Sequence, residues 1–426
     1  VTRENLDSFL AERLAAGDIL LDLAWNIDCP TILEWCRIRG VRYLNTSVEL
    51  WDPYYDMAAT KPLDRTLYVR HQSIRKMVAK WGSNKGPSAV VEHGANPGLV
   101  SHFAKQALFE ISNKILNDGR AGSRQSAIES ALASESFDRL AMLTGTRVIH
   151  ISERDTQITN QPKEVNEFVN TWSVEGFYEE GVAPAEMGWG THERWMPANA
   201  QVHADDGPCN QICLAQPGME TWVRSWVPSG EILGMIIRHG ESYTMSNHLT
   251  VRDDSGKAIY RPTVHYSYCP SNEAINSVLE LRMRNWERQP EQRIMNNEII
   301  SGRDELGVLL LGHDYTGWWT GTRLSIDEAR SIVDGQSATT LQVAGSVIAA
   351  VKWMIASPNQ GVCVPDDLPH EYILKIAKPY LGRWISQSSD WTPLKERDTT
   401  FDGYNKPDLD RKDPWQFKNF LLPDGG

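Results

Sequence analysis

The first hundred residues alternate helical and strand-like apolar spacing. Residues 2–16 place their leucines along one side of an amphipathic helix, and Gly17 leads into the apolar strand DILLDLAW (18–25). A helix follows over TILEWCRIRG, closed by Gly40, and then a second strand, VRYLNTS (41–47). Residues 67–81 form another helix and SAVVEHG (88–94) a third strand. This rhythm predicts a parallel, doubly wound sheet. GANPG (94–98) follows that strand and opens a helix over 98–111, with Pro97 suited to its first turn. Residues 120–145 continue as helix.

From 148 to 270 the period shortens to that of strands: VIHIS, EVNEFVNTW, NQICLAQ, TWVRSWV, EILGMIIRH, HLTVRD and AIYRPTVHYSY. These predict a large, mainly antiparallel sheet, joined by GVLLLG (307–312). LQVAGSVIAAVKWMIA (341–356) reads as a buried apolar helix. The fold class is therefore α/β. A Rossmann-like doubly wound domain covers 1–97, and a second large α/β domain with a mainly antiparallel sheet covers 98–426. Helix 341–356 and nearby segments are expected to pack back on the first domain. Residues 1–97 read as the second half of a dinucleotide-binding domain. They hold no GxGxxG loop, and Gly188-Trp-Gly190 lacks the third glycine. With Val1 rather than Met at the start, the expectation is a fragment whose glycine-rich half precedes Val1.

Charge narrows the partners. The net charge of −12 argues against nucleic acid, which wants basic stripes, and is compatible with a cationic ligand. No run of about 18 apolar residues predicts a membrane span, and no signal peptide opens the chain, so a cytoplasmic protein is expected. The six cysteines are scattered without zinc-site spacing, which predicts reduced, buried thiols and no metal.

The stretch FVNTWSVEGFYEE (168–180) carries the sharpest chemical signal. Trp172 stands within eight positions of Glu175, Glu179 and Glu180, with no Lys or Arg in the stretch. A cation over an indole face gains about 0.5–2 kcal/mol, so the missing charge can arrive with a ligand. Read as a strand, Trp172 and Val174 share one face and Glu175 takes the other. Glu179–Glu180 then form a turn or a helix start, where a solvated acidic turn is the common alternative. Asn96 in GANPG can hydrogen-bond a cofactor amide or a substrate amine, or serve only to shape the turn. Backbone amides at the same helix start can bind an anion or a carbonyl. Glu153, Arg154 and Asp155 read as a local ion pair. His239 with Glu241 reads as a proton-relay pair or as a surface histidine. Asp304 and Glu305 precede a buried strand, where carboxylates usually face solvent or cap. His192-Glu193 lacks the second histidine of a zinc motif. No serine elbow, P-loop or Cys/His dyad is present.

The blocks GANPGLVSHFAKQAL, HISERDTQ, FVNTWSVEGF, PAEMGWGTHERWMP, LTVRDDSGKAIYRPTVHY, DELGVLL, DWTPL and DPWQF resemble the bacterial homospermidine synthases, a family of the saccharopine-dehydrogenase-like group. The resemblance runs the length of the chain. It implies a cytoplasmic, homodimeric transferase that recycles NAD. Putrescine is oxidised to an imine, ammonia leaves, a second putrescine adds, and the hydride returns to give homospermidine. Spermidine can serve as donor with release of diaminopropane. The resemblance implies catalytic roles for Trp172, Glu180, His239 and Asn96, and substrate binding by Glu49, Glu153, Glu241 and Asp304. It places the cofactor near Asn26, Gly94, Asn96 and Pro97. Leu50 in SVELWDP departs from the family's proline, and Asn26 from its aspartate. Without a glycine-rich loop, the chain as it stands is expected to bind NAD poorly. Two other readings remain: an NAD(P) oxidoreductase of the saccharopine or carboxynorspermidine type, and a non-catalytic polyamine-binding protein. The first would need Arg or Lys partners for its substrate's carboxylates.

Overall fold

The computed structural model describes residues 1–53, 59–204, 207–397, 403–404 and 408–422. Its N-terminal part is a four-stranded parallel sheet in the order Ile19–Asp22, Arg42–Asn45, Ala89–Val90, Val362–Cys363. The helices Cys29–Arg39 and Leu67–Lys80 connect the first three strands. Asp28 caps the former by accepting from the Thr31 amide, and Gly40 ends it in the left-handed conformation that a glycine adopts without strain. The fourth strand comes from far along the chain, so the sheet closes only when residues 362–363 return to it.

The second sheet has ten strands among the described residues. Its centre runs Gly317–Ser325, Arg303–Leu311, Val148–Asp155, Thr263–Cys269, Pro184–Gly188. Val148–Asp155 and Thr263–Cys269 pair in parallel, and the other pairings are antiparallel. Helix Leu99–Asn117 buries most of its residues in the largest core, where Phe103 meets Trp384 and the helix lies against the central strands.

Helix Ala338–Ala356 touches both sheets. It is long and apolar enough to cross a membrane, but more than half of it is buried in the core. Ser346 Oγ lies 2.8 Å from His93 Nδ1, beside the first sheet, and Thr339 donates to Asp304 in the second at 2.7 Å.

Three local expectations change. The N-terminal helix spans only Leu6–Ala11. Residues 120–145 split into the helices Gln125–Ala133 and Phe137–Thr144. Residues 174–182 form a helix, not a strand. Ser173 caps it by accepting from the Gly176 amide, and Trp172 packs on Phe177 with ring centroids 5.4 Å apart. That is a side-chain cap with a hydrophobic staple, and both are local helix-start devices.

Candidate functional site

Strand Val148–Asp155 is buried along almost its whole length yet ends in Ser-Glu-Arg-Asp. Strand alternation sends Glu153 and Asp155 to one face. The antiparallel neighbour sets Asp304 opposite Asp155, and the parallel neighbour sets Tyr268 beside Glu153. Three carboxylates from two strands thus share a buried face. The expected local ion pair with Arg154 is replaced by inward contacts. Glu153 Oε2 accepts from Asn96 Nδ2 at 3.0 Å and from the Tyr266 hydroxyl. Asp155 accepts from Thr171 Oγ1 at 2.6 Å and from the Gln157 amide at 2.8 Å. Asp304 Oδ2 accepts from Thr339, while Oδ1 has no hydrogen-bond partner. Asp304 and Glu305 are therefore interior residues rather than solvent-facing ones. Burial pushes the Glu153 carboxyl up to about 7 and that of Asp155 up to about 6. Burial, then Glu153 and Asp155, push Asp304 well above the ordinary range.

Trp172 joins this face from the helix start. Its Nε1 donates to the Tyr268 hydroxyl at 2.9 Å, and Tyr268 stacks on Tyr266 at 5.3 Å. The helix after Trp172 separates its acids. Glu175 sits half-buried on the first turn. Glu179 is neutralised inside the protein: Arg70 Nη2 lies 2.5 Å and Arg238 Nη2 2.7 Å from its Oε1, and Trp25 Nε1 donates to its Oε2 at 3.1 Å. The positive charge missing from the local sequence comes, for this residue, from two distant arginines. The same arginines brace their surroundings, since Arg70 donates to the Val48 carbonyl and Arg238 to that of Arg65. Each member of this cluster lies next in sequence to, or holds the neighbour of, a candidate site residue: Val48 beside Glu49, Glu179 beside Glu180, Arg238 beside His239.

His239 is buried, not at the surface. Its Nε2 lies 2.9 Å from Glu180 Oε2 and its Nδ1 3.3 Å from Glu241 Oε1. Burial opposes a charged imidazole there, but Glu180 and Glu241 outweigh it and hold the ring protonated well above its ordinary range. Burial raises Glu180, with His239 working against it. Glu241 opens helix Glu241–His248, and its Oε2 has no hydrogen-bond partner. Glu49 accepts from Ser47 Oγ at 2.6 Å through Oε1, and its Oε2 is unpartnered. Burial, and then Glu179, raise the Glu49 carboxyl to about 7. Buried carboxylate oxygens without donors are costly unless something donates to them.

The first sheet meets this pocket at the C-terminal ends of its strands, where open α/β sheets bind their ligands. Gly94–Gly98 forms a closed loop: the Gly94 amide donates to the Pro97 carbonyl at 2.7 Å, and a Cβ on Gly98 would lie 1.9 Å from the Gly94 oxygen. The expected anion site at the helix start is absent. The Leu99 amide donates to Gly94 O, that of Val100 to Ala95 O and that of Ser101 to Gly98 O. Pro97 precedes helix Leu99–Asn117 and lines a narrow cavity with Glu49, Glu92, Glu180, His239 and Gly240. Asn26 lies four residues past the first strand, has a positive φ of 54° and accepts from the Asp52 amide at 2.6 Å. It stands outside the lining of that cavity.

The structure thus gathers Asn96, Glu153, Asp304 and Trp172 on one side, and Glu49, Glu180, His239 and Glu241 on the other, with the Tyr266 ring tilted against that of His239 between them, centroids 4.3 Å apart. Sequence reasoning missed Asp155, Tyr266, Tyr268, Arg70 and Arg238 as parts of the site. The alternation of HYSY offered a signal for the tyrosines, and the arginines offered none. His192 lies 3.0 Å from the Trp415 carbonyl oxygen, and no group of ligating residues among the described residues could hold a metal. Of the six cysteines expected to be buried, Cys209 is exposed and Cys269 half-buried; all are free thiols.

Residues 1–90 match the saccharopine dehydrogenase NADP binding domain, and residues 94–389 match the saccharopine dehydrogenase C-terminal domain. A homospermidine synthase from Blastochloris viridis is 42% identical, across 100% of this chain and 86% of the relative. One from Mesorhizobium japonicum is 39% identical across 99% of this chain and 85% of its own length. The crystal structure of the Legionella pneumophila homospermidine synthase in complex with NAD superimposes with a TM-score of 0.86 at 38% identity, covering 99% of this chain and 86% of that one.

Proposed function

The chain belongs to the homospermidine synthase family of saccharopine-dehydrogenase-like enzymes, and from that premise we propose how its pocket handles diamines. It is an NAD-dependent homospermidine synthase. The observation that carries the mechanistic reading is the set of buried carboxylate oxygens without donors: Oε2 of Glu241, Oε2 of Glu49 and Oδ1 of Asp304. An ammonium supplies three N–H donors and one positive charge, which is what such oxygens lack.

One ammonium of putrescine binds at the Asp304–Glu153–Asp155 face, and the carbon chain lies along Trp172 and Tyr268. The reacting amine lies toward Glu180 and His239. Asn26, Gly94, Asn96 and Pro97, beyond the C-terminal ends of the parallel strands, would hold NAD, and the tight Gly94–Gly98 loop leaves its backbone open to a close approach. When bound, NAD supplies the acceptor and then the donor of one hydride. Glu180, raised by burial, accepts the proton of the ammonium that must become an amine. Trp172 stabilises the positive charge of the imine carbon through its ring face. Asn96 orients Glu153, to which it donates. Water exclusion by the buried walls favours attack by the second diamine over hydrolysis.

The family resemblance further implies a cytoplasmic homodimer. Incubation with putrescine and NAD tests the reading. Homospermidine and ammonia should form in equal amounts with no net NADH. Steady NADH accumulation, or diamine binding without turnover, would overturn it.

A further inference from the structure

A second buried acid–base pair lies behind the pocket. Glu92 lies two residues past the third parallel strand, and its side chain and that of His71 meet with His71 Nε2 2.7 Å from Glu92 Oε2. Both residues are buried, at 1% and 3% exposure. Three observations set the pair apart from ordinary packing. First, Glu92 has a positive φ of 63°, a conformation that a residue with a side chain holds only at a cost. Second, Gly240, next to His239, leaves room for it: a Cβ there would lie 1.7 Å from Glu92 Oε2. Third, the pair spans two cavities. Glu92 lines the narrow one with His239 and Glu180, while His71 lines a separate one of about 400 Å³, whose rim residues Arg75 and Asn84 are exposed.

The chemistry needs such a route. Two putrescine dications carry four charges; homospermidine carries three and ammonium one. No proton is gained or lost overall. Yet each reacting ammonium must first give up a proton, and ammonia and the new secondary amine must later take one up. Two protons leave and two return in each cycle, in a narrow cavity lined mostly by buried side chains. We propose that Glu92 and His71 form a proton relay between the cavity at His239 and the outer cavity at Tyr243. This rests on the diamine reading above. In each cycle a proton from the substrate side reaches the Glu92 carboxylate, and His71 gives up its outward proton to water; the reverse sequence restores it.

The groups around the pair suit transfer. Glu92 lines the narrow cavity together with His239 and accepts from the Val48 amide at 3.3 Å. His71 faces Glu92 from the strand end and Tyr243 from helix Glu241–His248, at a centroid distance of 5.0 Å. Arg75, His248, Asp366 and Asp367 line the cavity beyond.

His71→Ala opens space next to that cavity. Turnover of putrescine to homospermidine should fall about tenfold or more, while KM for putrescine stays unchanged. Added imidazole should restore turnover, with substituted imidazoles ranking by their basicity. His71→Gln keeps the volume without the proton transfer; its turnover should fall alike, with an altered pH profile and an enlarged solvent deuterium isotope effect. Folded His71→Ala without rescue, or His71→Gln with the wild-type profile and isotope effect, would overturn the relay alone. Wild-type enzyme that makes no homospermidine would overturn the diamine reading and the relay with it.

Discussion

Glu179 and Glu180 are neighbours in one helix, yet their carboxylates lie in opposite electrostatic settings. Burial works to raise Glu179, but Arg238 and Arg70 outweigh it and push its carboxyl down to about 2. Burial raises Glu180, which faces His239 instead. A helical turn of about 100° per residue points one acid at the arginines and the next into the pocket. One acid is structural and stays charged, and the other is free to exchange a proton.

Glu180→Gln should sharply reduce putrescine turnover and leave NAD binding intact. Losing a charge-assisted hydrogen bond at this position costs roughly 1.5–3 kcal/mol in the transition state. Steady-state kinetics beside NAD titration checks this. Unchanged turnover would remove Glu180 from the mechanism.

For Trp172, activity should fall stepwise from Trp to Phe to Ala. Phe keeps the staple on Phe177 but weakens the ring's negative face and loses the hydrogen bond to Tyr268. Tyr268→Phe removes that hydrogen bond alone. If Tyr268→Phe loses as much activity as Trp172→Phe, the ring face is not the source. Thermal unfolding of each variant separates packing from chemistry.

Glu179→Leu should destabilise the fold by about 3–5 kcal/mol at neutral pH, because it leaves Arg70 and Arg238 buried without a counter-charge. The sign with pH follows from the lowered carboxyl. Its contribution is complete above the ordinary value of 4.5 and fades as pH falls toward about 2. The gap between wild type and variant in urea unfolding should therefore shrink from pH 7 to pH 3. An equal gap at both would show that the ion pairs carry little.

The pocket acids have the reverse dependence. Glu49 and Glu153 are raised to about 7 and Asp155 to about 6. Their folded forms hold protons that the unfolded chain has lost, so their contribution is fully present below the ordinary carboxylate values and is lost as pH rises through 6–7. Binding of a diammonium ligand should expel those protons. Calorimetry at pH 6 in buffers of different ionisation enthalpy should show proton release on putrescine binding, and less of it at pH 8. Proton-neutral binding at pH 6 would mean that the ammonium groups bind elsewhere.

Local pattern carried much of the fold. The spacing of Leu20, Tyr43 and Val90 between helices announced the parallel sheet, and the short runs after Val148 announced the antiparallel one. The helix over 174–182 has its own local signs, Ser173 as cap and Trp172 with Phe177 as staple. They compete with the strand alternation of Trp172 and Val174 against Glu175. The inward turn of Asp304 had no local sign, since polar residues at a strand's edge usually meet water; here helix Ala338–Ala356 covers them.

By itself, the sequence determined which residues can carry charge, where most helices and strands run, and that an indole stands among acids. Those follow from periodicity and side-chain chemistry, which act over a few residues. Only the tertiary structure decided which acids keep a partner. Arg70 and Arg238 lie 109 and 59 positions from Glu179, and Thr339 lies 35 from Asp304. Whether a carboxylate is neutralised depends on distances of a few ångströms in a medium of low dielectric, and no short stretch of the chain sets those distances.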